Sequence, residues 1–415
     1  MKSILLTISA ICFYMHGFSQ GDGMHFEQGM SWQQILAKAK KENKFIFVDC
    51  YTTWCGPCKF MAKEIFPLKE TGDAVNPNYI CVGIQIDSTG EDPVSVKFSR
   101  RDARMIEASY NIRAYPTFLY FNPDGQLVHR TEGSTRNAAE FVLNTKNAMN
   151  PERQYYAMIE KFRSGSRDTV MMESLMNLAI QNENGFLADS VIRAWLPLIK
   201  NVYTTDRLQM IAQIAIEPGT PEFDLFYHNA EKIDRLFKPG YAENIVMNAV
   251  IQHNQSIMTA FNDSASTPDW NKISVEISAQ YGTSLAHQIV TSVKPVYYKR
   301  NKNWDLYIRN LLPFLKEYEF TLDPIDLNNA AWDIFQYGSS TDDLNYGLYL
   351  SEHSMNAQKN NPTFMDTYAN LLYKLGRKTE AIAKETEALK LTEPSERPGY
   401  QETLDKMKSG TKTWE

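Results

Sequence analysis

Hydrophobic residues in the first third of the chain alternate between a strand period and a helix period. Residues 45–51 and 117–121 are short apolar runs typical of buried strands, and residues 79–87 place isoleucine or valine at every second position. Asn-Pro-Asp-Gly at 122–125 predicts a turn that leads into a hairpin strand over 126–130. Helices are predicted from residue 31, from 55 to 66, over 96–110 and over 137–148. The order β-α-β-α-β-β-α predicts a mixed sheet flanked by helices.

From Pro151 onward the strand period disappears, and apolar residues recur at intervals of three and four. The clearest stretch has a stripe of tyrosine and leucine over 368–375, Gly376 as a helix end, and a second helix from Glu380. This helix pair resembles a tetratricopeptide repeat, and a looser copy around Gly338 precedes it. Gly338 and Gly376 are 38 residues apart, which exceeds the roughly 34 residues of a standard repeat. The earlier unit is therefore predicted to carry a longer turn.

The two patterns divide the chain into predicted domains. An α/β domain is expected over 20–150, a helical domain over 151–324 and tetratricopeptide-like repeats over 325–415. Residues 1–19 are predicted to be a secretory signal, with a lysine at position 2, an apolar run and the small residues Gly17 and Ser19 before the cleavage point. The protein is therefore expected in the periplasm or cell envelope. The alternative, a membrane anchor, is less favoured because the apolar run is short for a span.

The composition is that of an ordinary globular protein and does not favour a nucleic-acid-binding function. The 415-residue chain is 43% hydrophobic and 22% charged, as is usual for a globular protein, and its formal charge of −6 gives no reason to expect nucleic-acid binding. No stretch after the predicted signal approaches the length of a transmembrane helix.

Candidate chemistry is concentrated in Trp-Cys-Gly-Pro-Cys-Lys at residues 54–59, directly after the first predicted strand. Pro57 suits the first turn of a helix because its fixed φ is already helical. Cys55 would then lie at the helix N-terminus, where free N–H groups and the helix dipole favour a thiolate. Cys58 follows one turn later, so that the two sulfurs can form a disulfide. The segment predicts a nucleophile at Cys55 and a resolving thiol at Cys58.

This segment, with Val48-Asp49 before it and Tyr115-Pro116-Thr117 after it, resembles the thioredoxin superfamily. The variation at Cys50-Tyr51 is similar to the periplasmic branch, such as the C-terminal domain of thiol–disulfide interchange proteins. The resemblance covers about the first third of the chain, and it implies an α/β thioredoxin-like fold followed by an all-α helical-repeat domain. It also implies a catalytic acid at Asp49 and a cis-proline at Pro116.

Further site residues follow from the same resemblance. They are the residues expected to contact a protein substrate beside the dithiol: Trp54, Gly56, Pro57, Tyr115, Pro116 and Gly133. One departure concerns the acid, because Gly83 stands where thioredoxins often carry a lysine near it. An alternative reading of Asp49 is an ordinary aspartate at the hydrated end of its strand.

The remaining cysteines and histidines do not suggest a metal site. A single Cys-x-x-Cys, with no second pair and no histidine at ligand spacing, favours redox chemistry over zinc binding. Cys50 and Cys81 are predicted to be buried free thiols, because neighbouring parallel strands would hold them about three residues, or ~10 Å, out of register. The arginines at 100, 101 and 104 are interpreted as a solvated helix face. No cofactor is expected besides the redox-active Cys55–Cys58 disulfide.

Two functions fit the sequence better than a third, weaker one, a chaperone-like holdase. The first is a thiol–disulfide oxidoreductase of the cell envelope that reduces or exchanges disulfides in exported proteins, with a protein electron donor as its second partner. The second is a helical-repeat interaction module in which the redox domain is an accessory or sensing element. The intact Cys-Gly-Pro-Cys favours the first.

Overall fold

The computed structural model describes residues 23–214, 216–262, 268–319 and 322–414. The predicted signal at 1–19 lies outside these residues. The chain forms two compact units, the first extending to Ala215 and the second beginning at Ile216. The domain boundaries predicted after residues 150 and 324 stay predictions. Among the described residues, no helix is both long enough and apolar enough to cross a membrane.

A four-stranded mixed sheet is the centre of the first unit, as predicted. The strands lie in the order β2-β1-β3-β4. Their bounds are β1 Phe45–Tyr51, β2 Tyr79–Gln85, β3 Thr117–Phe121 and β4 Leu127–Glu132. Strand β1 pairs parallel with β2 and antiparallel with β3, and β3 pairs antiparallel with β4. The fold class predicted from the hydrophobic pattern is therefore confirmed.

Helices cover both faces of this sheet. They are α1 Trp32–Glu42, α2 Gly56–Phe60 continued by a π-helical turn at Met61–Ile65, α3 Lys69–Val75, α4 Val94–Phe98, α5 Arg100–Tyr110 and α6 Ala138–Met149. The start of α1 follows from a reciprocal cap, in which the Gln34 N–H donates to Ser31 Oγ and the Ser31 N–H donates to Gln34 Oε1. The single helix expected over 96–110 is instead two helices that meet at Ser99.

Strand β1 contributes to a separate apolar core on each face of the sheet. Ile46, Val48 and Cys50 point to the face covered by α1 and α5, while Phe47 points to the face covered by α2 and α6. Side chains alternate along a strand, so a strand buried on both faces needs apolar residues at nearly every position. Asp49 is the exception within this run, and it lies on the Phe47 face.

Four further helices and a short 3₁₀ turn complete the first unit. They are α7 Tyr155–Arg163, α8 Thr169–Gln181, α9 Gly185–Trp195, the 3₁₀ turn Leu196–Leu198 and α10 Thr205–Ala212. The helices α7 and α8 contact β4. The Tyr155 N–H donates to His129 Nδ1 at 3.0 Å, and Asn182 donates to the Arg130 carbonyl at 3.1 Å. These bonds tie the helices to the last strand of the sheet.

The second unit is helical throughout the part that the structure describes. Its helices are α11 Pro221–His228, α12 Ala230–Asp234, α13 Tyr241–His253, α14 Gln255–Asn262, α15 Trp270–Tyr281, α16 Thr283–Arg300, α17 Trp304–Tyr318, α18 Pro324–Tyr337, α19 Thr341–Ala357, α20 Pro362–Lys374, α21 Lys378–Leu391 and α22 Arg397–Ser409. The all-α domain expected after the α/β domain is therefore present.

The pairs α18–α19 and α20–α21 occupy the two predicted repeats. The longer turn expected in the first pair is wrong, because residues 338–340 and 375–377 make connections of equal length. The extra residues lie in α19, which has 17 residues where α21 has 14. Gly376 has a φ of +82°, a left-handed conformation that favours glycine at a helix end.

Candidate active site

The two cysteines are positioned by the turn that leads from β1 into α2. Cys55 is the residue that caps α2, with an extended backbone, and Pro57 lies in the first turn. The Cys58 N–H donates to Cys55 Sγ at 3.0 Å. Cys55 and Cys58 are joined in a disulfide with a Cα–Cα distance of 5.3 Å. The N-terminal end of the helix therefore directs a backbone N–H at the sulfur of Cys55, which favours negative charge there once the disulfide is reduced.

Around the disulfide, the surface combines a large exposed aromatic ring with an open backbone. The side chain of Trp54 is 69% exposed, and it meets the ring of Tyr115 edge to face at a centroid distance of 5.7 Å. Gly56 and Pro57 are exposed, and a Cβ on Gly56 would meet no atom within 4 Å. The cysteines themselves are 3% and 4% exposed. A partner could thus approach over Trp54 and the segment between the cysteines.

The segment before β3 carries the predicted cis-proline. The Tyr115–Pro116 peptide bond is cis. The Pro116 carbonyl accepts a hydrogen bond from the Gly133 N–H at 2.9 Å. Gly133 has a φ of +85°, which a residue with a side chain adopts only with strain. The structure therefore connects Pro116 to Gly133 by a hydrogen bond, and Tyr115 to Trp54 by a ring contact.

Asp49 lies buried in β1, between Gly83 of β2 and Phe118 of β3. The residue is 7% exposed, and its Oδ1 has no hydrogen-bond partner among the described residues. Removal from water disfavours the charged form, and this burial raises the pKa of Asp49 to about 7. The alternative of an aspartate at a hydrated strand end is therefore wrong. A carboxyl group with this pKa can take up or release a proton near neutral pH.

Sequence reasoning missed a residue that holds the loop before Cys55. Asp87, just after β2, accepts two hydrogen bonds from the Thr53 N–H at 3.0 and 3.1 Å, and another from the Thr53 hydroxyl. The sequence pattern predicts Asp87 as the last residue of the strand and indicates no partner for it. The sequence does contain one indication of this role. Asp87 is a polar residue at the carboxyl end of a strand parallel to β1, and the dithiol loop leaves the sheet at the same edge.

A second group missed from the sequence is the ion pair that holds the next loop. Arg100 pairs with the Asp92 carboxylate and donates to the carbonyls of residues 85–87. Hydrogen bonds from Thr89 and Gln85, together with the charge of Arg100, lower the pKa of Asp92 to about 2. Assigning Arg100 to a solvated face is therefore wrong, although Arg101 and Arg104 are exposed. This network joins the end of β2 to the start of α5.

The other cysteines are free and buried, as predicted. Cys81 lies opposite Phe47 while Cys50 lies opposite Ile84, so the two are three residues out of register on opposite faces. Burial raises the pKa of both thiols. Among the described residues, no three His, Cys, Asp or Glu side chains are grouped so as to hold a metal ion.

Comparison with known proteins agrees with this geometry. The sequence model of the thioredoxin-like domain matches residues 32–144. Thioredoxin Asp f 29 of Aspergillus fumigatus is 34% identical over 101 residues, which make up 24% of this chain and 74% of that protein. The chain belongs to the thioredoxin family. Its domain is that of a thiol–disulfide oxidoreductase, with the Cys55–Cys58 disulfide in the expected place.

Two other relatives match this chain over only part of their own length. Thioredoxin-2 of Pyricularia oryzae is 35% identical over 114 residues, which are 28% of this chain and 56% of the relative. The thiol:disulfide interchange protein DsbD of Pseudoalteromonas atlantica is 29% identical over 120 residues, 28% of this chain and 18% of that protein. The chain thus spans between about a fifth and about half of these two relatives. The matched region in each case is little more than one quarter of this chain.

Proposed function

We propose that the protein is a thiol–disulfide oxidoreductase of the cell envelope that reduces or exchanges disulfides in exported proteins. The observation that carries the proposal is the Cys55–Cys58 disulfide at the beginning of α2, with the Cys58 N–H donating to Cys55 Sγ. The same arrangement that closes the disulfide would stabilise the Cys55 thiolate after reduction.

The reaction follows from thiol–disulfide exchange. The Cys55 thiolate attacks one sulfur of a substrate disulfide, forming a mixed disulfide and releasing the other substrate sulfur as a thiolate. Cys58, once deprotonated, then attacks Cys55 Sγ, which frees the second substrate thiol and closes the Cys55–Cys58 disulfide. The substrate gains two electrons and the dithiol loses two. A protein electron donor must reduce the disulfide before the next cycle.

Asp49 and the surrounding surface have supporting roles in this proposal. Asp49 accepts the proton of Cys58, because burial leaves its carboxyl group able to ionise near pH 7. Trp54, Gly56, Pro57, Tyr115, Pro116 and Gly133 contact the substrate chain. The exposure of Trp54 and the open space beside Gly56 support this assignment, since they leave room for a polypeptide next to the disulfide.

The cellular location and the partners are part of the proposal. The charged and apolar pattern of residues 1–19 supports export, and the similarity to the interchange protein DsbD supports exchange with another protein. The helical part of the chain would select or bind a protein partner. Fractionation of cells that make the full chain tests the location, and the N-terminus of the recovered protein shows whether cleavage follows Ser19.

Two measurements test the activity. Insulin reduction with dithiothreitol should be accelerated by the wild-type protein and by Cys50→Ala, whose thiol is free and buried, but not by Cys55→Ser. Cys58→Ser should accumulate mixed disulfides with envelope proteins, because it can attack a substrate but cannot release it. An insulin rate at background for the folded wild type, or equal trapping by Cys55→Ser, contradicts the proposal.

The helical pairs favour one second candidate, a protein-interaction module with an accessory redox domain. Helices α18–α19 and α20–α21 follow one another at a similar spacing and contact each other in sequence. Stacked helix pairs of this kind form extended binding surfaces in repeat proteins. Partners that bind the Cys55→Ser protein as strongly as the wild type, combined with no insulin reduction, would favour this candidate.

A further inference from the structure

A cavity of about 570 Å³ lies in the first unit, beside strand β2. Its walls are the lead-in segment at residues 23–30, the start of α1, the π-helical turn with the two residues after it, strands β1 and β2, and the helices α4 and α5. The cavity reaches Asp49 and Gly83 but includes neither cysteine of the disulfide in its lining. A space of this size can hold a small organic molecule.

The cavity exists because the edge of the sheet is covered only in part. Strand β2 is one of the two edge strands, and the lead-in pairs with it at a single bridge between Phe26 and Cys81. After the Glu27 N–H donates to the Cys81 carbonyl at 2.8 Å, the lead-in continues toward α1. Two residues further along β2, Gly83 is exposed and has no side chain to fill the space. Gly83 therefore lines the cavity without a side chain, next to Asp49 in the strand register.

The charged side chains that line the cavity are acidic. Three carboxyl groups line the cavity, those of Glu27, Asp49 and Asp102, while its described lining contains neither lysine nor arginine. Glu27 is paired with Lys38, and Asp102 accepts a hydrogen bond from the Trp32 N–H at 2.7 Å. Asp49 differs from both, because its buried Oδ1 has no partner among the described residues. A buried carboxylate oxygen without a donor is costly, and a ligand that supplies a donor would remove that cost.

Most of the remaining lining is apolar. Met24, Phe26, Met30, Phe66 and Val96 all contribute to the walls. A ligand that fits must therefore combine a positively charged hydrogen-bond donor with a hydrocarbon or aromatic body. We propose that this cavity is a binding site for a small organic cation, an ammonium or amidinium group on an apolar body, whose charged end donates to the Asp49 carboxylate. The proposal goes beyond disulfide exchange, since binding needs neither cysteine.

The test is a ligand-observed ¹⁹F NMR titration of the purified chain with 4-fluorobenzamidine. The neutral 4-fluorobenzamide is the matched probe, because it has nearly the same shape without the charge. We expect saturable binding of the amidine, and affinity lower by about tenfold or more for the amide and for Asp49→Asn, the size expected when a charged hydrogen bond is lost. Gly83→Leu should abolish binding by filling the cavity, since a Cβ there meets only Tyr51 at 3.4 Å.

Gly90→Leu is the control, because Gly90 has open space around it and does not line the cavity. It should bind the amidine as the wild type does. Circular dichroism shows whether each variant folds. If Gly83→Leu does not fold, the comparison of Asp49→Asn with the wild type tests the proposal. Absence of saturable binding, equal affinity for amidine and amide, unchanged affinity in Asp49→Asn, or loss of binding in Gly90→Leu would each overturn the site. A loss of insulin reduction alone would not bear on it.

Discussion

Gly83 lies directly opposite Asp49 in the parallel pairing of β2 with β1. The two residues share one face of the sheet, and the glycine places no side chain beside the carboxyl group. Asp49 therefore has neither a cation nor a hydrogen-bond donor for its Oδ1 among the described residues. Burial without such a partner is what raises its pKa.

This burial predicts how the stability of the first unit changes with pH. The pKa of Asp49 is raised from 3.8 to about 7, so the folded state favours the protonated form. Ionisation then costs stability as the pH rises from about 4 to 7, by roughly 4 kcal/mol for a shift of this size. The difference in unfolding free energy between Asp49→Asn and the wild type should therefore grow from pH 4 to pH 8. A difference that is the same at both pH values would contradict the assignment.

A lysine in place of Gly83 should lower the pKa of Asp49, whereas burial raises it. In Gly83→Lys, the ammonium group can approach the Asp49 carboxylate and favour its charged form, lowering the pKa of Asp49 by about 1 or more. Gly83→Met is the matched control, because it adds a similar length of side chain without charge. NMR titration of the labelled aspartate carboxyl group gives both values. Equal pKa values in the two variants would mean that the lysine does not reach the acid.

Arg100 should be much more important for stability than its neighbour Arg101. Arg100 is paired with the buried Asp92 and bonds three backbone carbonyls, so Arg100→Ala leaves a buried carboxylate without its cation. We expect Arg100→Ala to lower the unfolding free energy several times more than Arg101→Ala does, because the Asp92 carboxylate loses its cation. Arg101→Ala, at an exposed position, should change it by less than about 0.5 kcal/mol. Urea unfolding of both variants checks the contrast, and similar losses would refute it.

The contrast between these two arginines shows what the sequence could and could not predict. Periodicity depends on residues near one another in the chain, and the bounds that it predicts for β1 and β3 agree with the structure. The dithiol was found because its chemistry lies within four consecutive residues. Contacts over longer separations, such as Asp87 with Thr53, depend on which strands become neighbours. The cavity beside Gly83 depends on where the lead-in leaves the sheet, which no local pattern encodes.

In the second unit, a buried glutamate beside a second carboxyl group predicts a separate response to pH. Glu385 of α21 is fully buried, and burial together with the nearby Asp366 carboxyl group raises its pKa. Folding favours the protonated form of Glu385. Its contribution to the unfolding free energy is therefore fully present at acid pH, and it is lost as the pH rises above the ordinary pKa of 4.5 toward the raised pKa of the folded state. Glu385→Gln should remove much of this loss, measured by thermal unfolding at pH 5 and pH 9. Glu387→Gln, at an exposed position on the same helix, is the control and should behave as the wild type.

The central claim is that the N-terminal end of α2 holds Cys55 as a thiolate. The direct measurement is the alkylation rate of each thiol of the reduced protein as a function of pH, resolved by mass spectrometry. We predict that Cys55 reacts faster than Cys58 and ionises well below the value of about 8.5 for free cysteine. A Cys55 that ionises like free cysteine, and reacts no faster than Cys58, would contradict the account.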